Sequence, residues 1–193
     1  AGLLEFAGVW SHIAEASDAD DDIAHEAFLD AVRVVRESGA SPAALHLTAS
    51  AASWWRPELR GTVSRIGAFC YGIRSAEGPE LDGIRPAASL VATVVDLHGD
   101  RVSIGIGSFD GLPSTLSGSR VGTSGGVRTL VSVGHTSSVV EGWPGARVGD
   151  EVVVFGAGER GETSATTLAE RIDTVGEEIL TRLTPRVRRV VAD

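Results

Sequence analysis

The sequence predicts two fold classes in series, α/β over residues 1–84 and a mainly antiparallel all-β domain with one late helix over residues 85–193. Three observations carry this. In the first part, short apolar runs alternate with a helical pattern, and polar residues gather where those runs end. In the second, short β-branched runs follow one another between turns rich in Gly, Ser and Pro. Near the end the apolar spacing becomes helical once more.

Residues Leu3 to His12 read as a buried strand, with Phe6, Val9 and Trp10 as its bulk and Ser11-His12 at its end. An acidic loop, Asp18 to Asp22, follows. From Ile23 the residues Ala27, Phe28, Ala31, Val32, Val34 and Val35 recur at helical spacing, and Gly39 ends the pattern as a C-cap. Leu45-His46-Leu47 reads as a second strand entering a small-residue turn, Thr48 to Ser53. Ser64 to Ile73 reads as a third strand. Such units fit part of an α/β barrel or a doubly wound sheet. A complete barrel takes about 250 residues, so the roughly 80 here supply only a few of its units.

In the second part, Leu90 to Val95, Val102 to Ile106, Thr129 to Val133, Val139-Val140 and Glu151 to Phe155 are the predicted strands, with Ser117 to Gly126 as a flexible hairpin connection. Thr163 or Ser164 caps a helix whose apolar face is Leu168, Ile172, Val175, Ile179 and Leu183. Val187 to Val191 forms a last strand.

Composition narrows the function. A net charge of −9 argues against nucleic acid and anionic membrane surfaces as partners. The single cysteine, Cys70, excludes an internal disulfide and suits a reducing, cytoplasmic setting. No apolar run approaches the roughly 20 residues of a membrane span. All 17 basic residues counted as Lys or Arg are arginine; the chain has no lysine. Asp20-Asp21-Asp22 lacks the spaced ligands of a cation loop, so no metal site is expected. His135 beside Ser137 does not make a hydrolase, since no elbow-type turn surrounds any serine.

Several segments resemble, in unbroken order, the C-terminal half of the alanine racemase family. They include Trp10-Ser11-His12-Ile13-Ala14, His46 to Ala52, Ser64-Arg65-Ile66-Gly67-Ala68-Phe69-Cys70-Tyr71-Gly72 and Ile84-Arg85-Pro86-Ala87, then Gly107-Ser108-Phe109-Asp110-Gly111, Val148 to Val152 and Pro185 to Val190. The resemblance implies the C-terminal part of a (β/α)8 barrel followed by a β domain, pyridoxal 5'-phosphate as cofactor, a small amino acid as substrate and a homodimer. It also implies a partner to this chain, an N-terminal half or separate chain carrying the lysine that holds the cofactor.

By that resemblance Arg65 faces the cofactor's pyridine nitrogen, and Ser50 with the backbone of Gly67 and Ala68 meets its phosphate. His12 supports the acid–base network, while His46 reads as structural. The chain also departs from the family. Val95 to Arg101 runs straight into the next strand where the family has a segment bearing a catalytic tyrosine. Its substrate-contacting Met-Asp pair falls at about Thr136-Ser137, and a phosphate-contacting tyrosine falls at Gly176. An alternative therefore stands beside the racemase reading, a non-catalytic or repurposed binding or regulatory protein on the same scaffold.

Overall fold

The computed structural model describes residues 5–74, 78–79 and 82–191. The chain divides into two compact units, Ala1–Phe69 and Cys70–Asp193.

The first unit is built on a parallel pair, β1 (Gly8–Trp10) and β2 (Ala44–His46), joined through helix α1 (Asp18–Glu37). Gly8 stands opposite Ala44, Val9 opposite Leu45 and Trp10 opposite His46. A Cβ on Gly8 would collide with the Ala44 carbonyl, so the close approach of the strands requires glycine there. The helix begins earlier than its apolar pattern. Ser17 caps it by accepting from the Asp20 N–H at 3.1 Å, and of the two readings of the acidic run, a solvated loop or a charge cluster at a helix N-terminus, the second is the one observed. Phe28 and Val32 of α1 are buried in one cluster with Ile13, Leu47, Ala52 and Leu59, each large side chain contributing about 1.5–3 kcal/mol.

Two expectations for this unit are corrected. The turn expected over Thr48 to Ser53 becomes helix α2 (Ser50–Trp55) from Ser50 onward, and Pro57 follows directly after its C-cap Arg56. The strand expected over Ser64 to Ile73 does not form. Single bonds from Val63 N to Leu45 O (3.1 Å) and from Arg65 N to Thr48 O (3.2 Å) hold the chain beside the end of β2 without a ladder, and a 3-10 turn follows at Ala68–Tyr71. Of the strand expected over Leu3 to His12, residues 3–4 lie outside the described residues and Gly8–Trp10 forms the strand observed.

The second unit is a closed six-stranded antiparallel barrel in the order β3-β4-β7-β6-β5-β8. Its strands are β3 (Leu90–His98), β4 (Arg101–Ile104), β5 (Arg120–Thr123), β6 (Gly126–Val133), β7 (Ser138–Glu141) and β8 (Glu151–Phe155). Along β3, Leu90, Ala92 and Val94 are buried while Val91 and Val95 face out, the alternation of a strand with one covered face. The first half of β3 pairs with β8 and the second with β4; register shifts between Leu90 and Val91 and between Val94 and Asp96 let one strand bend to serve both. Val94, Val102, Ile104, Val121, Leu130, Val140 and Val152 fill the interior. Closure leaves no unpaired edge.

The Gly/Ser segment expected to be flexible is ordered as β5 and a tight turn. There Thr123 Oγ1 donates to the Gly126 carbonyl at 2.6 Å and accepts from Gly125 N at 3.1 Å. The single late helix is two, α3 (Ala165–Arg171) and α4 (Gly176–Thr181), interrupted by Asp173 in the left-handed region at φ 55°. Val187 to Val191 is not a strand. The Arg189 guanidinium donates to the carbonyls of Leu183, Thr184 and Val187, each at 2.8 Å, and takes up the backbone acceptors of this tail. No described helix is long and apolar enough to cross a membrane.

Candidate cofactor site

The polar residues of the first unit converge at the C-terminal ends of β1 and β2. His12 lies just beyond β1, and His46 is the last residue of β2. Arg65 reaches both from the irregular segment that follows. Its Nη2 donates to His12 Nδ1 at 2.8 Å and to the Leu47 carbonyl at 3.3 Å. Its Nη1 donates to the His46 carbonyl at 3.1 Å and lies 3.4 Å from His46 Nδ1. A guanidinium has donors only, so every partner here must accept. Among the described residues, these bonds use both Nη atoms and none uses Nε–H.

Ser50 opens α2, is buried, and accepts from the Gly67 N–H at 3.0 Å. Its own O–H remains a donor. The N-cap of α2, Ala49, has no side chain able to cap, and the Ala52 N–H in the first turn donates instead to Glu15 Oε1 at 3.0 Å. Gly67 has open space where a Cβ would stand, and Ala68 begins the 3-10 turn, whose first N–H groups lack an internal acceptor. The structure thus joins His12 to Arg65 and Ser50 to Gly67, with Arg65 and Gly67 two residues apart. It adds Trp10 and His46, which the sequence reading left outside the site. The indole of Trp10 stacks on His46 at 6.4 Å and 15°, and the Arg65 guanidinium lies 5.7 Å from the Trp10 ring centroid.

Comparison with known proteins accounts for both units. Residues 1–75 match the family model "Alanine racemase, N-terminal domain", and residues 94–191 match "Alanine racemase, C-terminal domain". The chain belongs to the alanine racemase family. An alanine racemase of Thermobifida fusca is 34% identical, with 98% of this chain aligned to 58% of that protein. The alignment runs over 215 positions against 193 residues here, so that relative carries segments with no counterpart in this chain. The structure of alanine racemase from Streptomyces coelicolor A3(2) superposes with a TM-score of 0.85 at 27% identity, covering 98% of this chain and 57% of that one. The alanine racemase of Streptomyces lavendulae gives 0.80 at 30% identity, with coverages of 98% and 57%. The chain therefore spans a little over half the length of these racemases.

Within the alanine racemase framework, the motif residues of the second unit take largely structural places. Asp110 is buried, accepting from Gly107 N at 2.8 Å and from Arg186 Nε at 2.9 Å. Phe109 is exposed and stacked on His135 at 5.1 Å. At Gly176, a Cβ would stand 2.6 Å from Ile73 Cγ2, so no larger side chain fits without movement.

Proposed function

We propose that the first unit is part of a (β/α)8 barrel that binds pyridoxal 5'-phosphate, in a cytoplasmic, dimeric protein that racemises a small amino acid. The observation that carries this reading is the hydrogen-bonded set His12–Arg65–His46 beside Ser50–Gly67. Its donor chemistry suits the cofactor at both ends. Hydroxyl and N–H donors with open space at Gly67 suit a phosphate, and a permanently charged guanidinium with Nε–H to spare suits a ring nitrogen that must accept.

Pyridoxal phosphate, when bound, draws electron density from the α-carbon of an attached amino acid and so acidifies its proton. Arg65 would donate to the ring nitrogen and keep it unprotonated, which moderates that withdrawal and favours return of the proton over side reactions. The His12 Nδ1 lone pair and the carbonyls of His46 and Leu47 orient Arg65 for this. Ser50, Gly67 N–H and Ala68 N–H would hold the phosphate, with Gly67 exchanging its bond to Ser50 for one to the ligand.

The residues present cannot supply everything. None of the 193 is lysine, so the amine that holds the cofactor, and one of the two acid–base groups with it, would come from outside them. The tyrosine segment that the resemblance calls for is also absent from this sequence.

The test is exchange of the α-proton of L-alanine in deuterated water by the protein as its gene encodes it, loaded with pyridoxal phosphate and followed by NMR. Exchange with loss of optical activity is the expected result. Cofactor binding without exchange of any common amino acid would overturn the racemase assignment.

A further inference from the structure

We propose that Trp10 is a positioning residue for Arg65, its indole holding the guanidinium in the orientation from which its Nε–H would meet a bound pyridine nitrogen. The purpose of this arrangement rests on the cofactor reading above; its geometry does not.

Trp10 is 67% exposed, so it adds little to the core. The ring contacts it makes are with His46 and Arg65. Both follow from the backbone. The parallel register sets Trp10 directly beside His46, and His12 follows two residues later, just beyond the end of β1. Arg65 is gripped at its edge by one short bond, to His12 at 2.8 Å, one of ordinary length, to the His46 carbonyl at 3.1 Å, and two longer contacts of 3.3 and 3.4 Å.

Bonds made at the edge of a planar cation resist sliding within its plane. They resist tilting poorly, especially when long and weak. The Arg65 guanidinium carbon lies over the indole ring, 5.7 Å from its centroid, a restraint independent of the edge bonds, and indole is the aromatic group with the strongest attraction for a cation. Stacking on His46 in turn holds the indole, so Trp10, His46, Arg65 and His12 form one braced assembly. Leucine at position 10 would keep apolar bulk and lose that attraction, whereas phenylalanine would keep a ring face.

The test compares Trp10→Leu and Trp10→Phe with wild type in the protein as encoded. Protein selectively labelled with 15N-arginine is used, with the Arg65 signals assigned by their loss in Arg65→Lys. Slow guanidinium rotation, seen as resolved Nη–H signals of Arg65, is expected in wild type, averaged signals in Trp10→Leu, and recovery of resolved signals in Trp10→Phe. In parallel, pyridoxal phosphate titrated by absorbance should bind Trp10→Leu about 2- to 30-fold more weakly than wild type, the range of a cation–π contact, and Trp10→Phe nearly as well as wild type.

Unchanged Arg65 signals in Trp10→Leu would overturn the proposal, and so would a Trp10→Phe variant as impaired as Trp10→Leu. If the Arg65 signals respond as expected while pyridoxal phosphate binds none of the proteins, the positioning role stands and the cofactor reading falls.

Discussion

Nη2 of Arg65 donates to Nδ1 of His12 across 2.8 Å, joining residues 53 positions apart. Because the guanidinium cannot accept, His12 must present a lone pair at Nδ1 and carry its proton on Nε2. The expected result in 15N spectra of the imidazole, at a pH where His12 is neutral, is the Nε2–H tautomer. An Nδ1–H tautomer would contradict the geometry. Asparagine at position 12 offers an acceptor and leucine does not. His12→Leu should therefore weaken pyridoxal phosphate binding by roughly 10-fold or more, the scale of one hydrogen bond to a charged group, while His12→Asn recovers part of the loss.

Gly67 N–H donates to Ser50 Oγ, and both residues are proposed to meet the phosphate. Ser50→Ala removes one hydroxyl donor and releases the Gly67 N–H. Affinity for pyridoxal phosphate should fall roughly 10- to 100-fold, and affinity for pyridoxal, which lacks the phosphate, should not change. Equal losses for both ligands would place Ser50 elsewhere in the pocket.

Glu162 closes the loop after β8. Its buried carboxylate accepts from Gly158 N at 2.8 Å and from Arg160 N at 2.9 Å. Burial alone pushes its pKa up, but bonds from the N–H groups of Glu162, Arg160, Gly158 and Glu159 outweigh it and hold the carboxyl below its ordinary range. A pKa lower in the folded state than in the unfolded chain stabilises the fold fully above the unfolded value, and the contribution is lost as pH falls through the folded one. Glu162→Ala should cost about 1–3 kcal/mol near neutrality by leaving those N–H groups unpaired. In urea unfolding, the gap between variant and wild type should narrow as pH falls below about 5. A gap independent of pH would assign the effect to packing.

Where side-chain periodicity decides structure, the sequence was legible. The alternation of Leu90, Ala92 and Val94 marks β3 because one face must be covered, and Phe28 and Val32 mark α1 for the same reason. Structure set by polar contacts was not. Ser64 to Ile73 has the apolar content of a strand, yet Arg65 turns onto carbonyls of the β2 end and the chain enters a 3-10 turn. Gly67 and Gly72 were the available warning.

At Gly122 in β5, a Cβ would meet Arg160 Cβ at 2.7 Å and Glu162 Oε2 at 2.8 Å, so the glycine stands there because the strand is crowded rather than flexible. The residues of the two hydrogen-bonded pairs, His12 with Arg65 and Ser50 with Gly67, were all named from the sequence. The brace was hidden, because Trp10 read as core bulk and His46 as structural, and only the parallel register brings them side by side.

The proposed pyridoxal phosphate pocket, completed by a lysine outside these residues, can be probed by treating the protein as encoded with pyridoxal phosphate, reducing it with borohydride and locating the cofactor by peptide mass spectrometry. One modified lysine outside this lysine-free stretch is expected, with the modification lost or greatly diminished when Arg65→Ala and Ser50→Ala are combined. A protein that retains no cofactor, or one whose modification is indifferent to Arg65 and Ser50, would contradict it.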